Sequence, residues 1–208
     1  MRSLFLALIS ISLFGMPLAW AGTINSVRDI PDELKNLREG RLSIADTTLL
    51  DVRIGRETLD KVRSRFGAAK TFRVPENSVS ADDEICYLSN IPDDTTRLVF
   101  GSGPMGGWSH VTQFQVLSST SHKFPCTPSP LVSRIIKTQS GIHLGMPLKE
   151  LSEKLGRPTQ QGQGYVIYSF EQKTVHPKDE VFDMLSGVEA TIVNGHVTSF
   201  RVFLIESN

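Results

Sequence analysis

Two stretches of the chain read alike and decide the predicted fold: residues 54–67 are IGRETLDKVRSRFG, and residues 144–156 are LGMPLKELSEKLG. Each opens with an apolar residue and a glycine, and each closes on a glycine. Apolar residues recur in both at i, i+3 and i+7, a spacing that places them on one face of a helix. These positions are Leu59, Val62 and Phe66 in the first stretch and Leu148, Leu151 and Leu155 in the second. We therefore predict two short amphipathic helices, each ended by a glycine in the left-handed conformation.

A second pair of similar segments follows these helices. Residues 110–116 read HVTQFQV and residues 196–202 read HVTSFRV, and their β-branched and aromatic content predicts strands. Further strand-like runs lie between each helix and the similar segment that follows it, at residues 85–88, 97–100, 165–170 and 188–193. Asn194-Gly195 separates two such runs and predicts a tight hairpin turn.

The same order of helix and strands in both halves predicts a duplicated chain. The predicted fold class is α+β, with two tandem units that are each a short helix packed on an antiparallel β-meander. The predicted boundaries are residues 43–120 for the first unit, 121–138 for a linker and 139–208 for the second unit. Residues 22–42 are predicted to form an N-terminal segment with a short helix at residues 31–38.

The N-terminus is typical of a secretory signal peptide. Arg2 precedes an apolar run at residues 4–14, and Ala19-Trp20-Ala21 places small residues at the two positions that a signal peptidase reads. The run is too short to cross a bilayer, which takes about 20 apolar residues. We expect residues 1–21 to be removed and the mature chain to be periplasmic or secreted. Because the apolar run is so short, we expect no transmembrane segment. Because no cysteine lies near the cleavage site, we expect no lipid anchor.

The charge of the chain argues against nucleic acid as a partner. The sequence holds 22 lysines and arginines against 22 aspartates and glutamates, which gives a formal net charge of zero. Proteins that bind nucleic acid need a basic stripe to contact phosphates, and the sequence has none.

Cys86 and Cys126 are the only cysteines of the chain. In an exported protein a disulfide is the default expectation for such a pair. A metal site or a reactive thiol is the alternative, but the pair lacks a C-x-x-C spacing and no histidine stands at a ligand-like offset. A bridge would tie the predicted linker to a strand of the first unit.

The glycine, the short helix ending in Leu-Gly-x-Pro and the meander with its Asn-Gly-x-Val hairpin together resemble the BamE/SmpA family. They also resemble its tandem-repeat relatives, which are similar to the β-lactamase inhibitory protein. The residues that carry the resemblance are Leu144-Gly145, Leu148, Leu151, Leu155-Gly156, Pro158 and residues 194–197. The resemblance implies an α+β repeat fold and a role in binding or assembly, because members of these groups act through surfaces rather than through chemistry.

Candidate partner contacts are large aromatic residues and one methionine. Residues 101–107 (GSGPMGG) lack the lysine and hydroxyl of a phosphate loop and are predicted to be a hairpin loop. Tyrosine and tryptophan supply large contact areas at low entropic cost, so they are frequent interface anchors. The candidates are Trp108, Tyr87, Tyr165, Tyr168 and Met105. For Trp108, packing in the core is an equal alternative.

No catalytic motif stands out in the sequence. There is no G-x-S-x-G, and strand geometry would point Ser109 and the adjacent His110 to opposite faces. A metal-dependent hydrolase is the enzymatic alternative, with His176, Asp179 and Glu180 as its residues, although a solvated loop is favoured there.

The sequence therefore predicts an exported, non-enzymatic protein that needs no cofactor and binds another protein. Its role would be enzyme inhibition or envelope assembly and quality control. The alternative is a periplasmic carrier of a small molecule or lipid, which would hold its ligand between helix and sheet.

Overall fold

The computed structural model describes residues 37–74, 82–103, 109–119, 125–175 and 181–207. Within these ranges the chain forms twelve strands and two short helices. In chain order they are β1 (Arg38–Glu39), β2 (Thr48–Leu49), β3 (Val52–Arg53), α1 (Leu59–Phe66), β4 (Thr71–Val74), β5 (Asp82–Ser89), β6 (Thr96–Ser102), β7 (Gln113–Ser118), β8 (Thr127–Ser129), α2 (Leu148–Leu155), β9 (Gln160–Gly162), β10 (Tyr165–Val175), β11 (Val181–Val193) and β12 (His196–Ser207).

Ten of the strands form one continuous mixed sheet. Its order is β1-β10-β11-β12-β7-β6-β5-β4, with β8 paired to β5 and β9 paired to β10. The pairs β1–β10 and β5–β8 are parallel, and the others are antiparallel. The strands β2 and β3 form a separate two-stranded sheet.

The predicted fold class is wrong. Two tandem helix-on-meander units would each have their own sheet, but β12 pairs with β7 and joins both halves of the chain into the ten-stranded sheet. The described part of the chain is therefore mainly β-structure, with two helices of eight residues each. The physical reason is that an unpaired strand edge is unfavourable, and pairing β7 with β12 removes two such edges at once. The resemblance to the BamE/SmpA family and its tandem relatives is likewise not supported by this β-rich architecture.

Both predicted helices are confirmed, and they bury the predicted faces. Helix α1 buries Leu59, Val62 and Phe66, and α2 buries Leu151 and Leu155. The glycines that end them have positive φ as expected, with Gly67 at φ 107° and ψ 161° and Gly156 at φ 79° and ψ −158°. These extended ψ values differ from the left-handed helical conformation, and this region of φ and ψ is essentially restricted to glycine.

The predicted strands and the hairpin are confirmed with longer bounds, apart from one segment. Asn194 and Gly195 have φ of 51° and 78° and join β11 to β12 in a tight turn. In the first of the two similar segments, residues 110–116, the strand begins only at Gln113. His110 instead forms an isolated bridge with Thr58. The similar segments still make similar local contacts, since the first amide of each helix donates to the residue just before the similar segment that follows it, Ser109 O or Gly195 O, at 2.9 Å.

A row of aromatic rings crosses the junction between the two halves. The ring centroids of Phe100 and Phe114 are 6.4 Å apart, and those of Phe114 and Phe200 are also 6.4 Å apart. Phe66 of α1 contacts Tyr87 at 5.2 Å and Phe100 at 5.4 Å on the same face. The core therefore lies between the helices and one face of the sheet, and it is continuous across the β7–β12 pair.

The segment before the sheet differs from the sequence prediction where it is described. Arg38, the last residue of the predicted N-terminal helix, lies in β1 beside β10. Its guanidinium donates to Leu155 O at 2.7 Å and stacks 4.6 Å from the centroid of the Phe170 ring. The predicted signal peptide and residues 31–36 lie outside the described ranges, so those predictions remain untested.

Candidate functional site

The segment that joins the two halves carries an exposed apolar pair. Residues 130–147 connect β8 to α2, and we call them the crossover segment. Four of its apolar side chains enter the core: Val132, Ile136, Ile142 and Met146. Two others face outward, with Ile135 80% exposed and Leu131 38% exposed. Large aliphatic side chains that stand together in water are frequently part of an interaction surface.

The N-terminal end of the crossover segment is held by a buried carboxylate. Asp94 accepts hydrogen bonds from the Arg134 amide at 2.9 Å, the Thr96 amide at 3.0 Å and the Thr96 hydroxyl at 2.6 Å. Burial by itself would raise the pKa of Asp94, but these bonds and one from Ser89 favour the charged form, and the net pKa is lower than usual. The carboxylate is therefore ionised at neutral pH and fixes the backbone at Arg134.

The other end of the crossover segment lies against the β2–β3 hairpin. The amide of Gln139 donates to Thr48 O at 2.9 Å, and Thr138 forms a bridge with Leu49. The Thr138 hydroxyl also accepts from the Ile142 amide at 2.9 Å inside the protein. The crossover segment is thus hydrogen bonded to neighbouring elements on both sides of Ile135, at Arg134 before it and at Thr138 and Gln139 after it.

The turn of the β2–β3 hairpin has a strained backbone. Its two central residues, Leu50 and Asp51, have φ of 47° and 60°. A two-residue hairpin with both φ values positive favours Asn-Gly or Asp-Gly, whereas a leucine there costs about 1–2 kcal/mol and an aspartate somewhat less. Asp51 Oδ2 also forms an ion pair with Arg65 Nη2 of α1 at 2.7 Å. Strain of this kind is frequent at binding sites, where it holds a side chain in a required position.

An open pocket of about 430 Å³ lies between this turn, α1 and the crossover segment. We call it the crossover groove, and it is lined by Leu50, Asp51, Arg65, Leu131, Ser133, Ile135, Ile136, Lys137, Thr138 and Gln139. The pocket is an open depression of the surface rather than an enclosed cavity. Four aliphatic side chains supply its apolar surface, and charged residues lie among them. The groove can therefore receive an apolar group that carries charge beside it.

The cysteine prediction is confirmed. Cys86 and Cys126 form a disulfide with their Cα atoms 4.6 Å apart. The bridge joins β5 to Cys126, the residue just before β8. Strand β8 itself pairs in parallel with β5, with Thr127 opposite Tyr87. The disulfide therefore fixes the chain that leads into the crossover segment.

Two of the predicted contact tyrosines belong to the core. Tyr87 is fully buried, its hydroxyl donates to Gly67 O at 2.8 Å, and burial raises the pKa of Tyr87 to about 12. Tyr168 is also fully buried, its hydroxyl lies 2.9 Å from Ser152 Oγ, and burial raises its pKa. Both rings pack against the helices and present no surface to a partner in this fold.

The remaining predicted contacts lie away from the groove or outside the described ranges. Tyr165 is half-buried, its ring lies over Gly162, and its hydroxyl accepts from Gln160 Nε2 at 3.2 Å. Met105 and Trp108 lie outside the described residues, as do the proposed metal ligands, His176, Asp179 and Glu180. The fold therefore does not test whether these five residues belong to a functional site.

Ser109 and His110 do not point to opposite faces as expected. Ser109 Oγ lies 3.3 Å from His110 Nδ1, because both residues precede β7 and strand alternation does not apply to them. Both are exposed to solvent. In the described part of the chain, no three His, Cys, Asp or Glu side chains lie close enough together to hold a metal ion.

Sequence reasoning missed the crossover groove. Leu131 and Ile135 lie in the stretch that was predicted to be a linker, and Leu50-Asp51 lacks the glycine of the usual Asn-Gly and Asp-Gly hairpin turns. A signal was present, since LVSRII at residues 131–136 is an apolar pattern within the predicted linker. Its exposed and buried members could be separated only by the packing of the crossover segment.

Comparison with known proteins finds no relative of this chain. The chain matches no protein-family model, no curated protein and no solved structure. Across the described residues, none of the helices has the length and apolar character needed to cross a membrane.

Proposed function

We propose that this chain is an exported, non-enzymatic protein that binds another protein through the crossover groove. The observation that carries the proposal is the 80% exposure of Ile135 beside Leu131, at the mouth of an open pocket. Binding energy in protein interfaces is concentrated in a few apolar anchors that fill pockets of the partner or accept its side chains. Leu131 and Ile135, which line the crossover groove, are apolar side chains that can act as such anchors.

The fixed backbone around the groove also supports binding. Asp94 holds Arg134, directly before Ile135, and Thr48 and Leu49 hold Gln139 and Thr138, a few residues after it. A site that is already ordered loses less conformational entropy when a partner docks. The strained turn at Leu50 and Asp51 is consistent with this, because a rigid site can retain an unfavourable backbone conformation.

The disulfide supports an oxidising location. Disulfides persist in secreted and periplasmic proteins and are rare in the reducing cytosol. The Cys86–Cys126 bridge therefore agrees with the expected export of the chain. We propose the periplasm or the extracellular space as the place where the partner is met.

Site-specific photo-crosslinking in the host envelope tests the proposal. A photoreactive amino acid is placed at Ile135 in one version of the full chain and at Val193 in another. Val193 is a matched control, because it is also a branched aliphatic residue, is 51% exposed and lies at the β11–β12 turn. We expect one discrete adduct from position 135 only, and we expect Leu131→Ser to reduce it strongly. The same adduct from both positions, or none from position 135, would contradict the proposal.

A further inference from the structure

The charges of the residues that line the crossover groove do not sum to zero, although those of the whole chain do. Asp51 is the one carboxylate in the lining, and it is already paired with Arg65 at 2.7 Å. Lys137 is exposed and forms no ion pair with any described residue. Arg134 is exposed between the lining residues Ser133 and Ile135, and Lys61 precedes Arg65 by one helical turn on α1. Among the residues that line the groove, the two cations, Arg65 and Lys137, therefore exceed the one carboxylate, Asp51, by one positive charge.

On this basis, and resting on the function proposed above, we infer that the groove binds an acidic peptide segment with a single branched aliphatic anchor. Leu50, Leu131 and Ile135 supply apolar contact for the anchor, and Lys137, which lines the groove and is exposed, attracts a carboxylate beside it. Opposite charges at the rim speed up association and disfavour basic partners, while the apolar contact supplies most of the affinity. The pairing of Asp51 with Arg65 keeps the one lining carboxylate from repelling such a segment.

A peptide fits the geometry better than an anionic lipid surface, which has the same charge preference. The crossover groove is an open depression, and two of its aliphatic residues lie deeper than Ile135, since Ile136 is buried and Leu50 is half-buried. A protein that lies on a membrane instead presents a projecting apolar face with cations around it. The recessed walls therefore favour insertion of a partner's side chain.

Fluorescence anisotropy with the mature, oxidised chain tests the chemistry of the partner. The probe is a labelled synthetic peptide with a central leucine between glutamates, and two matched peptides replace the leucine by serine or the glutamates by lysines. We expect the acidic leucine peptide to bind at least tenfold more tightly than either matched peptide. Lys137→Glu should weaken it by about three- to tenfold at low salt, as expected for reversing one or two exposed ion pairs. A lysine peptide should then regain affinity for the Lys137→Glu variant.

Three results would overturn the inference, and they are separable from failure of the proposed function. Equal binding of acidic and basic leucine peptides, or no effect of Lys137→Glu, would exclude the charge preference. Co-sedimentation with anionic vesicles that is lost in Ile135→Ser, without peptide binding, would assign the site to a membrane surface. If position 135 still captures one protein by photo-crosslinking in any of these cases, the binding function stands and only the partner's chemistry is wrong. If it captures none, both fail.

Discussion

Replacing Asp94 by alanine removes the carboxylate that fixes the start of the crossover segment. The side chain is buried, with the residue 7% exposed, and it accepts hydrogen bonds from two amides and one hydroxyl. Loss of the carboxylate leaves the amides of Thr96 and Arg134 without this acceptor. The crossover segment would then be held mainly at its other end, by Thr138 and Gln139.

The expected loss of stability follows from these bonds. A hydrogen bond to a charged group contributes about 1.5–3 kcal/mol, and bonds within one network are not additive. Since Arg134 is exposed and water can replace part of the network there, we expect Asp94→Ala to lower the free energy of unfolding by about 3 kcal/mol at pH 7. Glu153→Ala is the control, because Glu153 is exposed in a loose 3.8 Å ion pair with Lys149, and it should change stability by less than about 1 kcal/mol.

The pH dependence distinguishes a charged network from simple packing. The pKa of Asp94 is lowered in the folded protein, so its contribution is fully present above the pKa of an unfolded aspartate, about 3.9. It is lost as the pH falls through the lower folded pKa. Urea unfolding of the parent and of Asp94→Ala should therefore differ most near neutral pH, and the difference should become smaller as the pH falls below about 4. A difference that stays constant across this range, or one no larger than that of the Glu153 control, would refute the reasoning.

Three further predictions concern the disulfide, the strained turn and a buried tyrosine. Replacing Cys86 and Cys126 together by alanine opens a loop with a sequence separation of 40 and should cost about 4 kcal/mol, measured by urea unfolding beside the reduced parent. Asp51→Gly should stabilise the fold by about 1 kcal/mol, because glycine adopts the φ of 60° without strain; a loss of stability in thermal unfolding would show that the Arg65 ion pair outweighs the strain. Tyr87 should ionise at about pH 12, later than free tyrosine, and the stability that depends on its neutral form should be full below pH 10 and fall towards pH 12. Tyrosinate absorbance that lacks a late phase, or one unchanged in Tyr87→Phe, would contradict this last prediction.

Local patterns in the sequence were enough to predict the short-range elements of this protein. The apolar faces of α1 and α2, the glycines that end them and the Asn194-Gly195 hairpin were all predictable, because each depends on residues within a few positions of one another. The Cys86–Cys126 bridge was predictable for a different reason, since two cysteines in an expected oxidising compartment leave one pairing.

Only the tertiary structure decided how these elements join and which side chains remain exposed. Alternation along a strand shows which face is apolar, but it does not show which edge the strand will pair with. The contact of Gln115 with Ser199 at 3.3 Å joins positions 84 residues apart, and it exists because β7 pairs with β12. The same limit applies to the candidate site, because the backbone contacts of Thr138 and Gln139 bring Ile135 to the strained turn at Leu50. Such pairings depend on the packing of the whole core, so a local pattern of residues cannot specify them.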